Sequence, residues 1–456
     1  MDSIETVRLS AVALTLIAFV YIGWTYKTND AAVFHTANRA TTSAQTITSL
    51  FTVVGAPHFA IFTTLAYIFG WWATAFYAGC LFGFIIFGIL AKRIRYLGAA
   101  RSHTFTDIAS REVGPRASAS LFLLGFAYTL GVVVAQITIG AELLSQFVGV
   151  PYWICTLLIV LTVAAYLIGG GYRALVNTDI VQGIIMFVFT GILLHFLLTP
   201  LPASALNSSV ILSRGGSSLM PIIPLLFLAG MLAICGSPEI WQRALNAKSD
   251  RTARRSLFTA GLTMLAWGVM VVGIGIAISI QNPTAEVGNA FVKFLVSGPP
   301  PYIIGLICVL IIAAIMSTAD TELFTATILL RTEYRRQFHT INPEHLDVKT
   351  SRLIIFALAS VVCIGALFLR DLQILWGVLL NLIYITAPLT LAIVLNRGGR
   401  GKYREAVFLF SAGTSISLFI FVGVVIGDYF SWWACAIILS ASIPLMLPGK
   451  ERSSVL

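Results

Sequence analysis

The stretch TITSLFTVVGAPHFAIFTTLAYIF, residues 46–69, is long and apolar enough to cross a bilayer, yet it carries Gly55-Ala56-Pro57-His58 near its centre. Proline removes a helical hydrogen bond and clashes with the preceding turn, while glycine opens unusual backbone angles. The same device recurs as Gly236-Ser237-Pro238-Glu239 inside the apolar segment 219–246. At about 1.5 Å per residue, the breaks lie ~14 and ~17 Å from the helix ends near Thr46 and Ala247, about the midplane of a ~30 Å hydrocarbon core. A break at that depth is tolerated where the released backbone groups line a cavity or meet protein partners. Two interrupted helices at corresponding positions of two halves are the sequence sign of an inverted-repeat transporter with its solute site at the breaks. Taken singly each reads better as an isolated kink; the matched pair at matched depth favours the transporter.

The rest of the 456-residue chain agrees with a membrane setting, being 58% apolar and only 11% charged. A soluble domain is about a quarter charged. Disordered chains, disulfide scaffolds and nucleic-acid-binding domains are thereby excluded. Thirteen apolar segments follow: 9–26, 46–69, 71–91, 117–145, 151–169, 175–199, 219–246, 256–281, 301–331, 352–369, 372–395, 405–427 and 430–447. Their lengths suit helices rather than barrel strands, which predicts an all-α polytopic membrane protein with about 13 transmembrane helices. The run 284–298 is too short to span and reads as an amphipathic loop helix. The six cysteines fall inside apolar stretches without CxxC spacing and read as small buried hydrophobes. The N-terminus, MDSIETVR, has the wrong charge for a signal peptide, so segment 9–26 is expected to be a retained helix.

The net charge of +10 acquires meaning from its distribution. With the N-terminus outside, only Arg8, Arg214, Lys293 and Arg370 of the 29 Lys and Arg fall outside; the rest lie in inner loops and helix ends. That asymmetry is the positive-inside pattern, and it puts the C-terminus in the cytoplasm. The basic balance therefore reports topology in a plasma (inner) membrane, with the lipid bilayer as partner and no nucleic acid.

Acids at membrane depth are functional candidates: Glu142, Asp179, Glu239, Asp320 and Glu322 have no obvious cationic partner in sequence. Asp179 reads equally as an acid facing headgroup water. The ninth segment contains Ala313-Ala314-Ile315-Met316-Ser317-Thr318-Ala319-Asp320. Ser317 and Thr318 offer adjacent hydroxyls, Ala314 a carbonyl one turn earlier, and the broken second segment carbonyls between Phe51 and Val54. Together they suit a small hard cation, which takes several oxygens. The alternative for Ser-Thr in a membrane helix is back-bonding to the preceding turn.

Several motifs resemble the sodium:solute symporter family. They are Gly169-Gly170-Gly171-Tyr172-Arg173-Ala174-Leu175-Val176-Asn177-Thr178-Asp179-Ile180-Val181-Gln182; Pro238 with Gln242-Arg243-Ala244-Leu245-Asn246-Ala247-Lys248-Ser249 and Ala253-Arg254-Arg255; Met316 to Asp320; Asn38-Arg39; and Thr104 to Ile108. The resemblance covers roughly residues 30–395 and implies a LeuT-like five-plus-five inverted repeat, nearest in plan to the sodium/proline carriers. On that plan residues 1–45 form an N-terminal extra helix and inner loop, 46–199 the first five-helix repeat, 200–395 the second, and 396–456 two C-terminal helices and a tail. It further implies a secondary active transporter, no enzyme, in which Na⁺ drives uptake of a small organic solute by alternating access. The Na⁺ site would use Ala314, Ser317 and Thr318 with backbone carbonyls at Phe51 and Val54, and Asp179 would lie on the inner cation path.

Solute-binding candidates cluster at the breaks: Gly55, Ala56, Pro57 and His58 on the first, and Gly230, Ile234, Ser237 and Pro238 on the second. Gly230 and Ile234 stand where proline carriers place aromatic residues, and Pro57 and His58 where sugar carriers place polar ones, so neither pocket is inherited. Half-helix N-termini at Pro57 and Pro238 favour an anionic group, hence a carboxylate-bearing or amino-acid-like solute. Na⁺ is the expected coupling ion, with no organic cofactor and no oligomeric state assigned. The alternatives are a transport-deficient sensor or receptor with the same fold, and proton coupling through His58 or Glu142.

Overall fold

The computed structural model describes residues 3–53, 55–98, 104–202, 222–281, 294, 299–337, 348–395 and 402–421. Among these the chain is helical apart from one isolated bridge. The elements are α1 (Ser3–Thr25), α2 (Ala31–Thr36), α3 (Ser43–Phe51), α4 (Ala56–Phe69), α5 (Ala75–Gly98), α6 (Phe105–Glu112), α7 (Pro115–Val148) and α8 (Tyr152–Leu198), followed by α9 (Ile222–Gly236), α10 (Pro238–Asn246), α11 (Asp250–Gln281), α12 (Pro301–Gln337), α13 (Val348–Phe368), α14 (Leu372–Leu395) and α15 (Lys402–Ile420). Eight helical stretches are long and apolar enough to span a bilayer, and the bent pair Ile223–Gly236 with Pro238–Asn246 makes a ninth.

Two of those stretches hold more than one pass. Ile61–Gly98 turns back at Gly70 (φ 57°, ψ −139°), a backbone state that L side chains rarely adopt. The reversal sets the Phe62 ring 4.7 Å from that of Phe76. Tyr152–Leu198 breaks at Gly171 (φ 54°, ψ −137°) into two helices. Segment 430–447 and, apart from residue 294, the loop helix at 284–298 lie outside the described residues, so thirteen spans are not counted among them.

Short helices between the spans carry their own caps because no long hydrogen-bonded ladder supports them. Asp30 Oδ1 accepts from the amides of Ala32 and Val33 at 2.8 and 3.0 Å, starting α2. Thr42 with Gln45, and Thr104 with Asp107, form capping boxes at α3 and α6.

The helices ending at the basic end of the bundle present unpaired last-turn carbonyls, and arginines meet them there. Arg95 Nη1 donates to the carbonyls of Ala244, Leu245 and Ala247 at 3.0, 3.1 and 2.7 Å, while its Nε pairs with Asp250 at 2.7 Å. Arg352 donates to Ile168 and Thr28 at 2.7 and 2.9 Å, and Arg93 to Val394. Beside this clamp the amide of Thr41 donates to Asn246 at 3.3 Å and that of Lys248 to Thr41 at 3.1 Å, stitching the chain before α3 to the end of α10. Small residues allow the closest helix crossing. A Cβ at Gly230 on α9 would strike the Phe76 carbonyl of α5, and one at Gly79 the Phe227 carbonyl.

Candidate functional site at the helix breaks

The first break runs from Thr52, which ends α3, to Gly55, the cap of α4. The second sits at Ser237, where α9 and α10 meet at 53°. Each releases carbonyls that accept hydrogen bonds from hydroxyls on a facing helix. At the second break Thr390 Oγ1 donates to Cys235 at 3.1 Å. At the first, Ser317 Oγ lies 3.1 Å from the carbonyl of Thr52 and 3.1 Å from that of Ala314. Thr318 Oγ1 lies 3.3, 3.4 and 3.4 Å from the carbonyls of Thr52, Val53 and Ala314.

Five oxygens thus converge: two hydroxyls and the carbonyls of Ala314, Thr52 and Val53. Between them they own two protons, so most of their lone pairs have no donor within the group. A small hard cation suits such an oxygen shell. Back-bonding to Ala314 is present as well, so the two readings of Ser317-Thr318 coexist. The carbonyls brought to the hydroxyls belong to Thr52 and Val53; Val54 lies outside the described residues. Phe51 is buried with its ring edge-on to Trp267, centroids 5.9 Å apart.

Beneath this shell lies a polar layer. Thr52 Oγ1 donates to Asp179 Oδ1 at 3.2 Å, and the Tyr166 hydroxyl donates to Asp320 Oδ2 at 2.5 Å. Asp179 is fully buried rather than facing headgroup water. Arg243, which the sequence places among inner-loop charges, is also fully buried. Its Nε donates to Ser49 at 3.0 Å and its Nη2 to Thr321 at 2.7 Å, and its guanidinium lies 5.7 Å from the centre of the Tyr172 ring. Local spacing offered one hint: Glu239, Gln242 and Arg243 recur at three and four residues, one helical face, in a helix whose every residue is buried.

A cavity of about 280 Å³ lies between the breaks. His58, Ile234 and Ser237 line it, as do Thr318 and Val53 of the oxygen shell. The His58 ring stacks on Phe62, centroids 5.2 Å apart. Gly230 is placed elsewhere, at the α5 crossing, because its lack of a side chain serves helix packing there. Gly55 faces Gln136 of α7, whose amide fills the space where a Cβ would stand. The side chains of Ala56 and Pro57 are outside the described set, and Pro238 opens α10 as its first residue. Glu142 corrects the list of buried acids: it is exposed on α7 and accepts from Gln146 at 2.8 Å. Sequence spacing missed Tyr128, Gln136, Trp376 and Tyr384, which complete the wall from α7 and α14.

Residues 34–396 match the sodium:solute symporter family. The chain belongs to that family. Among curated relatives it is 27% identical over 304 residues to the sodium/pantothenate symporter of Escherichia coli (strain K12), covering 62% of this chain and 59% of that one. It is 27% identical over 251 residues to the high-affinity proline transporter of Bacillus subtilis (strain 168), covering 50% of each. The aligned parts therefore span less than two thirds of those relatives. The solved structure of a Na⁺-coupled sialic acid symporter in a substrate-bound outward-open state superposes with a TM-score of 0.85 at 16% identity, over 96% of both chains. The fold of this symporter-family member is thereby the LeuT-like one, and with its apolar helices it is an integral membrane protein.

Proposed function

We propose that this family member is a secondary active transporter performing Na⁺-coupled symport of a small organic solute by alternating access. The observation that carries the reading is the convergence of the Ser317 and Thr318 hydroxyls on the Thr52 and Val53 carbonyls, with Thr318 and Val53 also lining the cavity. Na⁺ held by Ala314, Ser317, Thr318 and the carbonyls of the Phe51–Val54 stretch would tie the broken α3–α4 span to α12 and shape the solute cavity beside it. The solute and the ion then share one wall, which is the physical basis of coupling. Asp179, one hydrogen bond below Thr52, would receive the ion on its way to the cytoplasm.

The setting we infer is the plasma (inner) membrane, with the N-terminus outside and the arginine-clamped end inside. The partners are Na⁺, the solute and lipid. The test is solute accumulation by proteoliposomes with and without an inward Na⁺ gradient. Accumulation that follows the gradient supports the reading; binding without accumulation identifies a sensor, and accumulation that follows a proton gradient alone moves the coupling to H⁺.

A further inference from the structure

The central cavity carries two acids and, among its described lining residues, no Lys or Arg; its one basic group is the His58 imidazole. Glu239, the second residue of α10, and Glu322, one turn beyond Thr318 on α12, are only 2% and 1% exposed. Their carboxyls hydrogen-bond to each other, so the pair shares a proton and keeps one negative charge, and Ser237 also reaches Glu239; Oε2 of each is nonetheless buried without a hydrogen-bond partner. Arg243 lies close by, but its donors go to Ser49, Thr321, Gln242 and the backbone carbonyl of Glu239, leaving those oxygens unmet. A buried carboxylate needs a positive partner or a full set of donors.

The remaining wall narrows what that partner is. Phe76, Tyr128, Trp376 and Tyr384 line the same cavity with aromatic surface. An inorganic dication takes oxygens on all sides, whereas an organic ammonium pairs with carboxylates on one side and lies over aromatic faces on the other. Arg243 stands behind the pair, and no Lys or Arg is among the described residues that line the cavity to receive a carboxylate, which runs against the anionic solute expected from the half-helix N-termini.

We infer that the transported solute is a small organic cation, an amine with an apolar body, whose ammonium group is held against the open Oε2 atoms of Glu239 and Glu322. This deepens the symport reading and rests on it. The ammonium would sit beside Thr318, placing the two positive species on either side of one hydroxyl-bearing turn.

The experiment uses the purified full chain in nanodiscs with Na⁺ at fixed pH. For each of several small carbon frameworks it compares melting temperatures with the primary amine, its N-acetyl amide and the matching carboxylate, since a ligand of the native state raises apparent stability. The expected result is a shift with an amine and none with its amide or carboxylate. Glu239→Gln and Glu322→Gln should each weaken the amine by roughly tenfold or more, Glu322→Asp should restore part of it, and Glu142→Gln on the exposed face should leave it within about twofold. If one glutamine variant fails to fold, the other carries the comparison.

The inference is overturned if no amine shifts the melting temperature, if the amide or carboxylate does so equally, or if both glutamine variants bind the amine normally. Na⁺-driven accumulation of an anionic solute would sink it while preserving symport. Amine binding that depends on both glutamates, without Na⁺-driven accumulation, would preserve it and sink symport.

Discussion

The hydroxyl of Ser317 lies 3.1 Å from the carbonyl oxygen of Thr52, although 265 positions separate them in sequence. Through that contact the end of α3 is held to the middle of α12, at the point where the first span stops being a helix. Replacing Ser317 or Thr318 by alanine removes an oxygen from a shell that has few to spare. Each variant should lose roughly tenfold or more in apparent Na⁺ affinity, read as the Na⁺ concentration needed to raise the melting temperature or to drive uptake. Thr318→Ser should retain most of it. Unchanged Na⁺ dependence in the double alanine variant would place the ion elsewhere.

Arg95 joins α5 to the end of α10 through three carbonyls and to the start of α11 through the Asp250 carboxylate. A half-exposed ion pair contributes about 0–1 kcal/mol, whereas charge-assisted hydrogen bonds contribute about 1.5–3 each without strict additivity. The carbonyl contacts therefore dominate. Arg95→Ala should lower the melting temperature far more than Asp250→Asn. Arg95→Lys should fall between, since an ammonium lacks the planar fork. Equal effects of Arg95→Ala and Asp250→Asn would assign the clamp to the ion pair instead.

Gly171 combines φ 54° and ψ −137° with a neighbour, the Phe34 carbonyl, in the space where a Cβ would project. Gly171→Ala should cost about 1–3 kcal/mol from backbone strain alone, with the collision added. Gly149, which caps α7 at φ 70° with open space around it, is the natural comparison. There alanine should cost about 1–2 kcal/mol and asparagine less. Thermal denaturation of the three variants ranks them, and a Gly171→Ala protein as stable as Gly149→Ala would contradict the geometry.

Asp179 and Glu142 are both acids at span depth in the sequence, but only the first is enclosed. Removing the charge of Asp179 alters the acceptor of the Thr52 hydroxyl directly beneath the oxygen shell. Asp179→Asn should reduce uptake rate by roughly tenfold, with Glu142→Gln within about twofold of the parent. Initial rates in proteoliposomes measure the contrast; comparable loss in both would make span depth, rather than enclosure, the relevant property.

The breaks and the Ser317-Thr318 pair were legible because each is written in a few consecutive residues. Helix rise alone carried their depth. The carbonyl register was less so. Which of Phe51, Thr52, Val53 and Val54 turns toward α12 depends on the rotation of a chain that has left helical geometry, and no periodicity reports that angle. Glu239 and Glu322 were visible as costly acids but not as a pair, because they come from two different helices, α10 and α12. Arg243 looked like an inner-loop charge for the same reason: its partners, Ser49 and Thr321, are on two other helices. Gly230 was misplaced because a glycine that makes room for a neighbouring backbone and one that makes room for a ligand are identical in sequence.

The two breaks also differ in how their loose ends are tied. The released Cys235 carbonyl accepts from both the Thr390 hydroxyl, at 3.1 Å, and the Trp241 indole N–H, at 3.5 Å. That junction has few surplus lone pairs to offer. At Thr52 and Val53 two protons serve three carbonyls and two hydroxyls, and that junction is starved of positive charge. The duplicated architecture thus ends in one joint whose released carbonyl is met by protein donors and one whose oxygens the proposed Na⁺ would complete.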